Sequence, residues 1–291
     1  MVNISAFGCV YKKVVKIATS VCLLSVVGVG SVVYYAMASE VVVKNPEYTL
    51  QMMKKLPDVD DLSSLTYIPE ENILVATLNK PATLLKITTD GEVISRSELT
   101  FIKDAETVEY IGNGKLAMVD ERDSVLHIVN LSDLQPAKPV STIDLKFITP
   151  KYNRGFEGMA WDPDKNTLYV AKERNPYGLY SVKWDENNHI TGIYKVNDLL
   201  KDVQVDDISA LNYEKGNLYV LSDQSKGLVK ITPEGKVSGV LNLTAGHHGL
   251  KKDVPQAEGV ASDAAGNIYV ASEPNLFYKF SPVSPDKATG Q

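Results

Sequence analysis

Cysteine is almost missing from this chain: there are two in 291 residues, Cys9 and Cys22, and both lie in the N-terminal segment. The folded part therefore has no thiol, which excludes a disulfide scaffold. It does not exclude an oxidising compartment, because a chain of this length can be stable on its core alone. Histidine is scarce as well. Of four, His127 falls in a strand-like run, His189 in a turn and the His247–His248 pair in a glycine-flanked loop. None has a second ligand at a useful spacing, so zinc is not indicated. There is no nucleophile elbow, no phosphate loop and no dinucleotide fingerprint. Helix-period stretches are absent after the N-terminal segment. Positive charge is in deficit too, with 30 basic against 36 acidic side chains. Lys12, Lys13 and Lys16 are the only charges in the first 39 residues, so the remainder is more acidic than the whole chain. Such a surface argues against nucleic acid as a partner and suits divalent cations or basic ligands.

A long apolar run occurs once, from Val14 to Tyr35, with three lysines on its N-terminal side. About 20 apolar residues match the hydrocarbon core of a bilayer, and the basic flank keeps the N-terminus cytoplasmic. The run exceeds a usual signal sequence, which favours a retained anchor, although Ala36-Met37-Ala38 has the form of a cleavage site. Cys22 has a poor context for lipidation. Residues 1–38 read as a membrane anchor or signal segment, 39–46 as a tether and 47–291 as the folded domain, placed outside the cytoplasm in either case.

What the folded part has in abundance is repetition. Five segments align, starting at Asp60, Lys103, Arg154, Asp206 and Gln256; their equivalent residues Leu65, Val108, Met159, Leu211 and Val260 lie 43, 51, 52 and 49 apart. That period belongs to propeller blades. Each unit reads as four short strands; in the third, FEGMAWD, TLYVAKE, GLYSVKW and ITGIYKV are separated by Asp-, Asn-, Pro- and Gly-rich turns. Alternating apolar and polar residues rich in Val, Tyr and Ile fit half-buried antiparallel strands. The last unit supplies only three strands, and the unmatched EYTLQMM at 47–53 precedes the first. The expectation is an all-β, five-bladed β-propeller whose N-terminal strand completes the fifth blade and so leaves no open edge. Six blades, the alternative, need a further unit that the sequence does not hold.

The phrases DLSSLTYIPEENILVATLNKPATLLKITTDGEVI, DAETVEYIGNGKLAMVDERD, GFEGMAWDPDKNTLYVAKERNP, LYVLSDQSKGLVKIT and QAEGVASDAAGNIYVASEPNLFYKFSP together resemble the SdiA-regulated, YjiK-type family of bacterial envelope proteins over residues 45–282. The resemblance implies a β-propeller carried outside the inner membrane, in the periplasm, by an N-terminal hydrophobic segment. It implies no reaction.

Two columns of the alignment carry candidate chemistry. At the start of the innermost strand stand Ser63, Glu106, Glu157, Ser209 and Glu258, preceded two residues earlier by Asp61, Asp104, Gly155, Asp207 and Gln256; at the end of the second strand stand Asn79, Glu121, Glu173, Asp223 and Glu273. Innermost strands line the channel, so the first column forms a ring of oxygens around the axis. Three carboxylates about 8 Å apart repel by roughly 2 kcal/mol per pair at an effective dielectric of about 20. Calcium, which takes six to eight hard oxygens in irregular geometry, offsets this. Glu106, Glu157, Glu258 and Asp207 are the candidate metal ligands. The phrase Glu157-Gly158-x-x-Trp161-Asp162 is similar to one blade of calcium-dependent lactonase propellers, in which the glutamate binds the metal.

For the second column two uses stand side by side. Glu121, Arg122, Glu173, Arg174, Asp223 and Glu273 either bind a ligand or are absorbed by ion pairs and turn amides, since Arg122 and Arg174 directly follow acids and Arg154 and Lys172 lie close by. Trp161 and Trp184 read as packing between blades, and Tyr169, Tyr219 and Tyr269 as filler at one blade position. The functional expectation is a membrane-anchored propeller that binds a small-molecule or protein ligand with calcium at the channel mouth. The alternative is a metal-dependent hydrolase of an ester, lactone or phosphoester.

Overall fold

The computed structural model of the chain describes residues 48–134, 137–145, 155–174, 176–185 and 190–283. The N-terminal segment 1–38, the tether 39–46, Arg154 and His189 lie outside them. No helix among the described residues is long and apolar enough to cross a membrane; a short 3-10 turn lies at Asn197–Leu200.

Five four-stranded antiparallel sheets account for the strands. In chain order blade 1 is β2 (Leu62–Ile68), β3 (Ile73–Leu78), β4 (Thr83–Thr88) and β5 (Val93–Glu98). Blade 2 is β6 (Ala105–Tyr110), β7 (Lys115–Asp120), β8 (Val125–Leu134) and β9 (Ala137–Asp144). Blade 3 is β10 (Phe156–Asp162), β11 (Thr167–Lys172), β12 (Gly178–Trp184) and β13 (Ile190–Lys195). Blade 4 is β14 (Ala210–Glu214), β15 (Asn217–Ser222), β16 (Gly227–Ile231) and β17 (Val237–Asn242). Blade 5 takes β18 (Ala257–Ser262), β19 (Ile268–Ser272) and β20 (Leu276–Pro282) from the C-terminal end and β1 (Tyr48–Lys55) from the N-terminal end. Tyr48 pairs with Pro282 and Lys55 with Leu276, so the expected N-terminal strand is the outermost strand of the last blade. The six-blade alternative finds no sixth sheet among the described residues.

There is no single central core. Five apolar clusters lie one to each seam between adjacent blades, including the seam where blade 5 meets blade 1, which is filled by Leu62, Leu74, Leu85, Tyr269 and Phe277. This explains a gradient that alternation alone does not anticipate. The second strand β3, ILVATL, is buried at every position, whereas the outermost β1 alternates half-buried and exposed along its length. Inner strands are covered on both faces by neighbouring blades and read as continuous apolar runs, while outer strands keep one wet face.

Two glycines mark where innermost strands of adjacent blades come closest. A Cβ on Gly259 would lie 2.7 Å from the Ser64 carbonyl carbon, and one on Gly158 would lie 3.0 Å from the Leu211 backbone nitrogen. Backbone cannot yield there as a flexible side chain can, so these positions exclude any larger residue. In both blades the glycine directly follows a glutamate of the first column, which places two of these acids beside a close approach of neighbouring strands.

Candidate functional site

The first column has a local cause that the spacing does not reveal. In the innermost strands of blades 1, 2, 3 and 5 the pairing register slips by one residue, and the skipped residues are Ser63, Glu106, Glu157 and Glu258. In the fourth blade Ser209 immediately precedes the first paired residue, Ala210. A β-bulge leaves its extra residue out of the ladder and re-aims its side chain. Here it turns the column out of the sheets and into the channel, where all three glutamates remain only partly exposed.

The electrostatics confirm that they converge. Burial first, and then the neighbouring carboxylates of Asp104, Glu121 and Asp61, push Glu106 up to about 8. Burial and then Glu273, Asp223, Glu106 and Asp207 push Glu258 up to about 9. Glu157 is raised well above the ordinary carboxylate range by burial and by Glu106, Glu121, Glu173 and Glu258. Three glutamates from blades 2, 3 and 5 thus share one field, although up to about 150 residues separate them in sequence.

The tightest group is not the axial trio. One carboxylate oxygen each of Asp104, Glu106 and Glu121 lie within 4.8 Å of one another. Asn79 of blade 1 donates its amide to Glu106 Oε1 from across the seam. Asn79 is 5% exposed, and its own Oδ1 has no hydrogen-bond partner among the described residues. Glu121 Oε1 accepts the Gly155 backbone N–H at 2.8 Å, which leaves its second oxygen for other use. A Cβ on Gly155 would fall 1.7 Å from Glu121 Cγ. That explains why blade 3 has a glycine where three other blades have aspartate: the Glu121 side chain fills the space.

The remaining candidates are placed as follows. Asp207 does not join this group; its Oδ1 accepts the Ser222 hydroxyl and the Gln224 backbone N–H, which fixes the start of blade 4. Asp223 Oδ1 accepts the Ala257 backbone N–H at 3.0 Å and pairs with Lys226 at 2.6 Å. Glu173 pairs with Arg174 at 2.7 Å, whereas Arg122 reaches Asp104 at 3.6 Å rather than its neighbour Glu121. Glu273 is pushed up to about 7 by burial and by the facing carboxyl of Asp61, and it accepts the Gln256 side-chain amide at 3.0 Å. The second column is therefore largely seam chemistry: Glu121 and Asp223 hold backbone amides of the next blade.

Asp104 was not among the candidate ligands, yet a signal for it exists in the alignment. Blade 2 is the one blade with carboxylates at all three column positions, Asp104, Glu106 and Glu121.

Comparison with known proteins agrees with the architecture. A family model described as SdiA-regulated matches residues 40–281. Among solved structures, the crystal structure of Myxococcus xanthus glutaminyl cyclase superposes with a TM-score of 0.58 at 17% identity, covering 82% of this chain and 98% of that one. A crystal structure of a nidogen/laminin complex gives a TM-score of 0.50 at 13% identity, covering 74% of this chain and 73% of that one. At these identities the likeness shows the fold alone.

Proposed function

The chain belongs to the SdiA-regulated family, and from that premise we propose that its propeller is a binding module held outside the cytoplasm by the N-terminal segment, with a calcium ion at the acidic end of the channel. The observation that carries this reading is the approach of Asp104, Glu106 and Glu121 oxygens to within 4.8 Å of one another. Arg122 offsets this crowding in part at Asp104, and protons or a bound cation can neutralise the rest. The donor set fits a hard cation. It offers three carboxylates, with no sulfur or imidazole, and the Asn79 amide stands against Glu106. Calcium completes six to eight ligands with water and tolerates irregular angles, whereas magnesium demands a near-regular octahedron. Glu106 already accepts the Asn79 amide of blade 1 and Glu121 the Gly155 N–H of blade 3, so an ion held by these carboxylates would link ligand binding at the mouth to stability of the ring.

The test is a calorimetric titration of calcium into the chelator-treated full chain. About one site is expected, with affinity at least about tenfold weaker in Glu106→Gln. Absence of binding by the unaltered chain contradicts the reading.

A second reading, a metal-dependent hydrolase, is favoured by Glu157 and Glu258. Both are skipped by the ladder at a register slip of an innermost strand, and both are raised by burial and by neighbouring carboxylates that include Glu106. A raised carboxyl near an ion with an open position is the composition of a general base or acid. The fold does not decide between the readings, since its likenesses include an enzyme by name and a protein complex. Turnover of an ester, lactone or phosphoester that Glu157→Gln abolishes while calcium still binds would establish the hydrolase; calcium binding without turnover supports the binding module.

A further inference from the structure

The tyrosine column separates blade 3 from blades 4 and 5. In blade 4, Tyr219 pairs across the ladder with Lys230, whose Nζ lies 5.6 Å from the ring centroid. In blade 5, Tyr269 pairs with Lys279, whose Nζ lies 5.7 Å from the ring centroid. Each lysine lays its stem along the sheet and caps an aromatic face. In blade 3 the equivalent tyrosine, Tyr169, pairs with Ser181. The lysine of that strand stands two residues further on, at Lys183, and its Nζ lies 5.6 Å from the ring of Tyr194 instead.

Replacing a lysine by a serine leaves its volume unfilled. A cavity of about 260 Å³ lies at this point, lined by Lys165, Tyr169, Ser181, Lys183 and Tyr194 over Val196 and Leu199. Its floor is buried, with Ser181 at 4% and Tyr169 at 9% exposure, while Lys183 and Tyr194 form an exposed rim. Tyr213 of blade 4 stacks on Tyr169 from the far side, with ring centroids 6.2 Å apart. Lys165 is held by Asp162 at 3.2 Å, but Lys183 makes no ion pair among the described residues.

We propose that this groove on the face of blade 3 binds a small organic anion, an aromatic ring carrying a phosphate or carboxylate group. The ring would occupy the volume that a lysine stem fills in blades 4 and 5, against Tyr169 and Tyr194. The acidic group would meet the ammonium groups of Lys183 and Lys165 and the Ser181 hydroxyl. A ligand amine is rejected by the same two ammonium groups, which separates this site in chemistry as well as position from the acidic channel. The volume admits one ring and one acidic group and is smaller than the usual cofactor pocket of about 300–1,000 Å³.

Phenyl phosphate and benzoate are the probes, titrated in parallel into the full chain and followed by amide chemical shifts, with benzyl alcohol as the neutral control. Saturable binding in the millimolar range is expected for at least one anion and not for the alcohol, and the stronger anion identifies the acidic group. Ser181→Lys, which restores the arrangement of blades 4 and 5, abolishes binding by filling the groove. Lys183→Ala, at an exposed position that leaves the fold intact, weakens it about tenfold. Absence of saturation up to about 20 mM for both anions overturns the proposal, as does binding that survives both substitutions unchanged.

Discussion

Two glutamates near opposite ends of the innermost strand β6 stand in opposite circumstances. At one end, Glu109 on β6 is 9% exposed and pushed up to about 8 by burial. Its two oxygens accept the Thr66 hydroxyl of blade 1 and the Trp161 backbone N–H of blade 3, each at 2.9 Å, so one carboxyl ties three blades together. At the other end, Glu106 is raised to the same value, but the largest contributions after burial come from the acids Asp104, Glu121 and Asp61, which the Ser63 and Asn79 donors offset only in part. The first is a satisfied structural carboxyl; the second is a member of a crowd. The value of a shifted acid says little about its role, whereas the sign of its neighbours says much.

Removing the structural acid has the largest expected effect. Glu109→Ala strips partners from Trp161 and Thr66 and opens a void, at a cost of about 3 kcal/mol in denaturant unfolding. Glu109→Gln keeps an acceptor for Trp161 and a donor for Thr66, and should lose less than about 1 kcal/mol at neutral pH. At the crowded end the sign reverses. In metal-free protein Glu157→Gln replaces a carboxyl whose ionisation is disfavoured by burial and by neighbouring acids, and should raise the melting temperature at pH 8. A thermal melt that falls instead would sink the contrast between the two ends.

The pH dependence follows from the same shifts. Glu106, Glu109, Glu258 and Glu273 lie near 8, 8, 9 and 7 in the folded chain, above the ordinary carboxylate value. Between about 4.5 and 9 the folded state therefore binds more protons than the unfolded state, so metal-free protein should lose stability as pH rises through that window. Glu109→Gln removes only its own share, and saturating calcium removes only the share of the mouth. A metal-free protein more stable at pH 8.5 than at pH 5.5 would contradict this assignment. The smallest effect belongs to the rim. Arg174, 46% exposed beside Glu173, should cost less than about 0.5 kcal/mol when replaced by alanine.

Much of this architecture is legible in the sequence. The blade period, the closing strand at 47–53 and the two acidic columns follow from repetition, because every blade must solve the same packing problem with the same strand order. What repetition conceals is departure from it. Gly155 interrupts the aspartate column because a side chain from the preceding blade occupies its space, and no spacing along one chain segment predicts that. Asp207 and Asp104 hold the same place in the alignment, yet Ser222 and Gln224 capture the first while the second faces Glu106 and Glu121. Ser181 shows the converse: a single changed residue in one repeat opens a groove that its neighbours lack.

The central claim, that the crowded end of the channel exists to hold a cation, is tested most directly by elemental analysis of protein purified without chelator. About one calcium per chain is the expected result, falling to well below half in Glu106→Gln. A fully folded chain that carries no divalent metal, and whose melting temperature does not move when calcium is added, would contradict it.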